Sequence, residues 1–140
     1  CKYSSSSLLK SLVDIAVHDT PGKFFRFTVT YLLLSVPFNF RLKLSTKTHE
    51  LVSVFSVSSI FKSANWLERE VWDMFGIFFI NHPDLRRILT DYGFKGYPLR
   101  KDFPLTGFVE VVYDDSQKHI IYKPVELTQE FRTFTFEMPY

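Results

Sequence analysis

A chain of 140 residues with 46% apolar side chains is long enough to close one hydrophobic core, and that apolar share excludes a chain disordered over most of its length. The formal charge of +2 is too small to point to nucleic acid, although it is divided, with +5 over residues 1–62 and −3 over residues 63–140. Cys1 is the only cysteine, which excludes an internal disulfide, a cysteine-rich zinc site and a self-contained four-thiolate cluster.

The chain opens on Cys1 instead of Met, as a processed or partial product would, and KYSSSSLLKS is too short and too poor in Arg for a transit peptide. LLKSLV has the look of a short helix. VDIAVHD then alternates Val13, Ile15 and Val17 with Asp14, Ala16 and His18, a strand pattern, and DTPGK places Pro21 and Gly22 for a tight turn. FFRFTVTYLLL sets Phe25, Phe27, Val29, Tyr31 and Leu33 on one face. FNFRLKLS does the same with Phe38, Phe40, Leu42 and Leu44. Such period-two alternation predicts a half-buried antiparallel meander with one wet face. FTVTYLLLSVPF, the longest strongly apolar run, falls short of the ~20 residues a bilayer-spanning helix needs.

THELVSVFSVSSIF fits either a helix or a strand, and the need to cover the sheet favours a helix. Asn65-Trp66-Leu67-Glu68 has capping-box spacing, and Gly76 is placed to end a helix running from about Trp66 to Phe75. IFFI at 77–80 reads as a short strand. DYGFKGYPLRKDFPLTG, with three Gly and two Pro, is a long structured loop. FVEVVY and HIIYK around DDSQK form a hairpin, and VELTQEFRTFTFEMPY is an apolar tail with no later element to cover it. The expected fold is α+β: an antiparallel or mixed sheet of three or more strands covered by helices on one face, with a long structured loop and an extended C-terminal arm. Its division is an α/β domain over 1–90, then loop, hairpin and partner-binding arm over 91–140.

In WLEREVWDMFGIFFI three consecutive charges, Glu68, Arg69 and Glu70, interrupt apolar sequence. On a helical wheel Leu67, Val71, Trp72, Met74 and Phe75 form the apolar arc, with Arg69, Glu70 and Asp73 opposite and Arg69–Asp73 an i, i+4 pair. Glu68 lands among the apolar residues. It either turns back to cap its own helix or is buried against an arginine of the later loop, Arg86, Arg87 or Arg100, because an unpaired buried charge is costly. A catalytic carboxylate is the least supported reading, since no nucleophile, metal cluster or second acid stands at a recognisable spacing. His18, His49, His82 and His119 form no metal motif, and the five glycines form no phosphate loop. RRILTDYGFKGYPLRK mixes rings and cations as single-stranded nucleic-acid sites do, yet carries no RNA-module motif.

WLEREVWDMFGIFFINHPDLRRILTDYGFKGYPLRKDFPLTGFVEVVYDD closely resembles the 30 kDa subunit family of respiratory complex I, the proton-pumping NADH:ubiquinone oxidoreductase. Glu68-Arg69-Glu70, Asp73-Met74-Phe75, His82, Arg86, Ile88 and Leu89 fill the family pattern in order, and VELTQEFRTFTF looks like its C-terminal arm. The likeness covers roughly residues 8–138, is strongest from 63 to 115, and is nearest the versions encoded in mitochondrial genomes; members usually have a longer N-terminal region. The resemblance implies a non-catalytic core subunit of the quinone-reducing module, on the matrix side of the mitochondrial inner membrane. It would be packed on the 49 kDa subunit and other peripheral-arm subunits, and attached to the membrane only through the complex. It further implies no cofactor on this chain, with FMN, iron–sulphur clusters, NADH and ubiquinone handled elsewhere, and no nucleic acid. No catalytic, cofactor or metal residue is assigned. Structural and partner-binding roles fall on Glu68, Arg69, Glu70, Asp73, His82, Arg86, Arg87 and Arg100. The rival expectation is a stand-alone RNA-binding or adaptor domain on the same scaffold.

Overall fold

The computed structural model describes residues 2–136, so Cys1 and the last four residues of the expected C-terminal arm lie outside the described residues. The chain divides into two compact units, one ending at Phe103 and one beginning at Pro104. The loop over 91–103 thus belongs with the helix and sheet that precede it.

In the first unit β1 (Ser11–Asp19), β2 (Phe27–Ser35) and β3 (Phe40–Thr48) form an antiparallel meander in that order. This is the sheet the alternation predicts. Phe27, Val29, Tyr31 and Leu33 of β2 all point into the core. The Asp19–Lys23 turn closes as expected, with the Thr20 amide donating to the Arg26 carbonyl at 2.9 Å and Gly22 at φ +91°.

Three expectations fail in and around the strands. LLKSLV is not helical. Leu8 adopts a left-handed φ of 42°, Leu9 is buried, and β1 begins at Ser11. Within β1 the pairing with β2 shifts between Leu12 and Asp14. That extra residue flips the alternation, so Leu12 and Ile15 are buried while Val13 is turned out. In β3 only Leu42 packs against the core; Phe38, Phe40 and Leu44, expected inside, are exposed. The reason is coverage: one helix packs against β1, and no second helix lies over β3 among the described residues.

THELVSVFSVSSIF, expected to be that second helix, is instead irregular around a two-residue strand, β4 (Val54–Phe55). β4 pairs in parallel with β5 (Phe79–Ile80), with the Val54 amide on the Phe78 carbonyl and the Ser56 amide on the Ile80 carbonyl, each at 2.9 Å. The expected IFFI strand is therefore present at Phe79–Ile80, and the Val/Ser-rich segment pairs with it instead of forming a helix.

Helix α1 (Ala64–Phe75) starts earlier than the Asn65 capping box predicts. Ser63 is the N-cap and makes no side-chain cap bond; its hydroxyl donates to the Leu12 carbonyl at 3.3 Å. Val71 and Phe75 enter the core, where the Phe75 ring meets Phe27 edge-on at 6.4 Å. Gly76 ends the helix as predicted, in the left-handed region (φ 72°, ψ 32°), with its amide on the Trp72 carbonyl at 2.9 Å.

The second unit is the expected hairpin of β6 (Val109–Asp114) and β7 (His119–Pro124), followed by residues 125–136 without helix or strand. Its turn is held by the Lys118 amide on the Asp114 carbonyl at 2.8 Å, with Lys118 at φ +58°.

A side chain at Gly76 would be strained by its positive φ, and a Cβ there would lie 2.6 Å from the Tyr97 ring and 2.8 Å from the Arg100 guanidinium. Gly76→Ala is therefore expected to cost about 1–3 kcal/mol, read as a lower urea midpoint with an unchanged slope.

Candidate functional site

The charged positions of α1 do not form a wet stripe. The helix is buried on two sides, by the sheet and by the irregular segment from Asn81 to Phe103, and three polar centres hold that segment down.

The first centre is Glu68, whose side chain has 0% exposure. Both expected readings are corrected here. Glu68 neither caps its own helix nor pairs with an arginine. Its Oε2 accepts from the Ser56 hydroxyl at 2.6 Å and its Oε1 from the Val57 amide at 2.7 Å. The His82 ring also packs against it, with Nε2 at 3.7 Å from Oε2. In turn His82 Nδ1 accepts from the Asp84 amide at 3.1 Å, which leaves the ring proton on Nε2 facing the Asn65 carbonyl at 3.1 Å. Burial pushes the Glu68 carboxyl up, against the opposing pull of its Ser56 and Val57 hydrogen bonds and of His82. Desolvation, together with the Glu68 charge, also pushes the nearby Tyr31 phenol up to about 12.

The second centre is Asp73, also at 0% exposure. The expected Arg69–Asp73 pair does not form. Asp73 Oδ2 accepts from the amides of Ile88, Leu89 and Thr90 at 3.2, 2.7 and 2.9 Å, and Oδ1 from the Thr90 hydroxyl at 2.6 Å. Arg87 Nε lies 3.7 Å from Oδ1. Burial alone would raise this carboxyl, but the hydrogen bonds from Thr90, Leu89 and Ile88 outweigh it and hold the group below the usual range. Arg69, likewise buried, donates from Nε to the Arg86 carbonyl at 3.2 Å and lies over the Trp66 ring. Both Asp73 oxygens are taken instead by three successive loop amides and the Thr90 hydroxyl, backbone donors that a buried segment could not leave unpaired.

The third centre was not legible from motifs. Arg26 grips the buried Asp19 with both prongs, Nε to Oδ1 at 2.7 Å and Nη2 to Oδ2 at 2.9 Å, and also reaches Glu50 and Asp102. Asp19 Oδ2 accepts the Lys101 amide at 2.8 Å. The Arg26 hydrogen bond holds Asp19 below its ordinary range, and the three acids raise Arg26 further above its own. One signal was available: Asp19 continues the inward row of Ile15 and Val17, where a carboxylate requires a partner.

The remaining expected residues divide clearly. Arg87 donates to the carbonyls of Phe94 (3.0 Å) and Gly96 (2.8 Å) and lies over the Tyr97 ring. Arg100 donates to the Phe75 carbonyl at 2.7 Å, where a cation favours the helix C-terminus, and sits over Phe27 and Tyr97. Arg86 is exposed and pairs with Asp84 at 2.9 Å, while Glu70 is exposed on the helix surface. The structure brings Glu68 to His82, Asp73 to Arg87 and Arg69 to the backbone of Arg86, and it leaves Glu70 outside. Among the described residues no group of three His, Cys, Asp or Glu side chains is arranged to hold a metal ion, and no helix is long and apolar enough to cross a membrane.

Asp73→Asn replaces an acceptor oxygen by an amino group facing loop donors, and is expected to lower stability by about 2–3 kcal/mol, measured by urea unfolding. The pH dependence has a definite sign. Asp19 and Asp73 titrate below their ordinary 3.8 in the folded chain, so their stabilisation is complete above that value and is lost as pH falls through the lowered ones. Acid unfolding of Asp73→Asn should consequently show a shallower loss of stability below pH 3.8 than the parent chain.

The architecture and these contacts can be set beside known proteins. Residues 2–109 match the family described as "Respiratory-chain NADH dehydrogenase, 30 Kd subunit". NADH-ubiquinone oxidoreductase subunit 9 of Acanthamoeba castellanii is 56% identical over 98% of this chain and 69% of its own length. An NADH-quinone oxidoreductase subunit of Paramagnetospirillum magneticum is 55% identical over 99% of this chain and 70% of its own. NADH dehydrogenase [ubiquinone] iron-sulfur protein 3 of Beta trigyna is 59% identical over 99% and 72%. Among solved structures, the trypsin-resistant fragment (1–134) of Nqo5 is similar with a TM-score of 0.50 and 36% identity, covering 55% of this chain and 66% of that one, just under two thirds. With more than half of its length inside the family match, and relatives above half identity along nearly all of it, this chain belongs to the 30 kDa subunit family of the respiratory-chain NADH dehydrogenase.

Proposed function

We propose that this chain is a structural, non-catalytic subunit of the quinone-reducing module of complex I. In this reading it sits on the matrix side of the mitochondrial inner membrane against the 49 kDa subunit, reaching the membrane only through the complex. Electrons pass through neighbouring subunits that carry FMN, iron–sulphur clusters, NADH and ubiquinone, and this chain holds none of them. The names of the relatives from Acanthamoeba castellanii and Paramagnetospirillum magneticum support membership of such an assembly. Although a relative is called an iron-sulfur protein, the single cysteine of this chain cannot supply the thiolates that a cluster takes.

The observation that carries the reading is how the charged residues are used. Glu68, Asp73, Arg87 and Arg100 are all engaged inside the first unit, on backbone amides, carbonyls and rings. What reaches the surface is large and apolar: Tyr92 is 99% exposed, and Phe131, Phe134 and Phe136 of the C-terminal segment are exposed as well. Side chains of this kind belong in the centre of a protein interface. The same use of Arg87 and Arg100 counts against the nucleic-acid reading, because neither guanidinium is free to meet a phosphate.

Arg87→Ala or Glu68→Gln should lower the amount of assembled complex more than the turnover of each complex that does assemble. A native gel stained for NADH dehydrogenase activity, with the band quantified against quinone-reductase rate, separates the two. Full assembly with lost turnover would restore a catalytic role to these residues.

A further inference from the structure

The third strand of the meander is an edge. β3 pairs with β2 and, among the described residues, with no other strand, so one row of its amides and carbonyls faces away from the sheet. Its two faces differ sharply. Arg41, Lys43 and Lys47 stand on the outer face, opposite Leu34, Leu32 and Thr28 of β2. All three cations are exposed, and none is engaged in an ion pair among the described residues. The inner face carries Leu42, Leu44 and Thr46, opposite Leu33, Tyr31 and Val29. Beyond it lies an open groove of about 470 Å³ floored by Tyr31, Leu33 and Leu44 and walled by Val52, Val54 and Phe55, with Lys47 also reaching its edge. Leu44 is 48% exposed there even though its neighbour on β2 is core.

An added strand has side chains on the same two faces as the strand it joins. We propose that β3 is a docking edge for an extended peptide segment of a partner, in which acidic residues alternate with apolar ones. The acidic row pairs with Arg41, Lys43 and Lys47, the apolar row enters the groove beside Leu44 and Val54, and the backbone continues the sheet. Charge complementarity selects the partner's outer row, and the groove selects its inner row. Neither selection works without the other, because a one-residue slip would set carboxylates in the groove and apolar side chains among the cations. This assignment rests on β3 alone and extends beyond the subunit role proposed above.

The test uses the full chain and a fluorescein-labelled peptide matched to the nine residues of β3, alternating Glu with Val. Fluorescence anisotropy is expected to show binding about tenfold tighter than for a peptide of identical composition with the Glu residues in one block. Methylating every backbone amide of the alternating peptide should abolish binding. The triple charge reversal Arg41→Glu, Lys43→Glu, Lys47→Glu should do the same while leaving the thermal midpoint in place; if that variant does not fold, the methylated peptide still decides. Lysines on an edge also serve to discourage strand pairing, and no binding of the alternating peptide would mean that they do only that, which overturns the proposal. Equal binding of the blocked peptide overturns it too, as does displacement of the peptide by an oligouridylate or by phosphatidylglycerol vesicles that bind more tightly.

Discussion

The carboxylate of Asp73, taken into the interior and saturated by three consecutive backbone amides and one hydroxyl, is the contact on which the arrangement of the first unit turns. Residues 82–103 contain no helix or strand and have few backbone partners of their own. A segment like that stays folded only where fixed groups receive its amides and carbonyls, since ordering each residue costs about 1–2 kcal/mol. Asp73 receives amides at 88–90. Arg87 donates in turn to carbonyls at 94 and 96, Arg100 fastens the next stretch to the end of α1, and Asp19 takes the amide of Lys101. Anchors therefore recur every few residues along the segment. Each is charge-assisted; those of Asp73, Arg100 and Asp19 join the segment to a helix or strand already held by the core, and those of Arg87 tie it to itself.

The consequence concerns binding as much as stability. A loop fixed in this way presents its surface in one conformation, so the entropy of ordering it is met on folding and not at the moment of association. The guanidinium groups of Arg87 and Arg100 also lie over Tyr97 and Phe27, which stiffens the same region. Other rings stay at the surface, among them Tyr92 and the phenylalanines of residues 131–136. The chain thus combines rigid polar fastening inside with apolar area outside, the combination a permanently assembled subunit uses.

The single helix explains the shape of what is left open. α1 lies against β1, the edge strand whose pairing with β2 is shifted by a bulge, and its other side is roofed by the loop. β3 receives no such cover. Its alternation is written as clearly as that of β2, yet Leu44 and Phe40 remain exposed where Tyr31 and Val29 do not. Alternation reports which side chains share a face. It does not report whether anything lies on that face.

That distinction runs through the whole molecule. The meander, the hairpin of β6 and β7, the Asp19–Lys23 turn and the left-handed stop at Gly76 were all determined by the sequence alone, because each depends on neighbours in the chain: side-chain period, turn residues, or a residue without a Cβ. That Glu68, Asp73, His82 and Arg87 are set apart from their neighbours was also legible, as charge set in apolar sequence and as a resemblance spread over many positions. Their partners were not. Glu68 meets Ser56, Val57 and His82, Asp73 meets residues 88–90, and Arg26 meets Asp19 and Asp102. The strand at Val54 exists because Phe79 lies beside it in space. Only the tertiary structure decided these pairings, since a buried carboxylate needs donors but nothing local to it specifies which distant backbone will supply them.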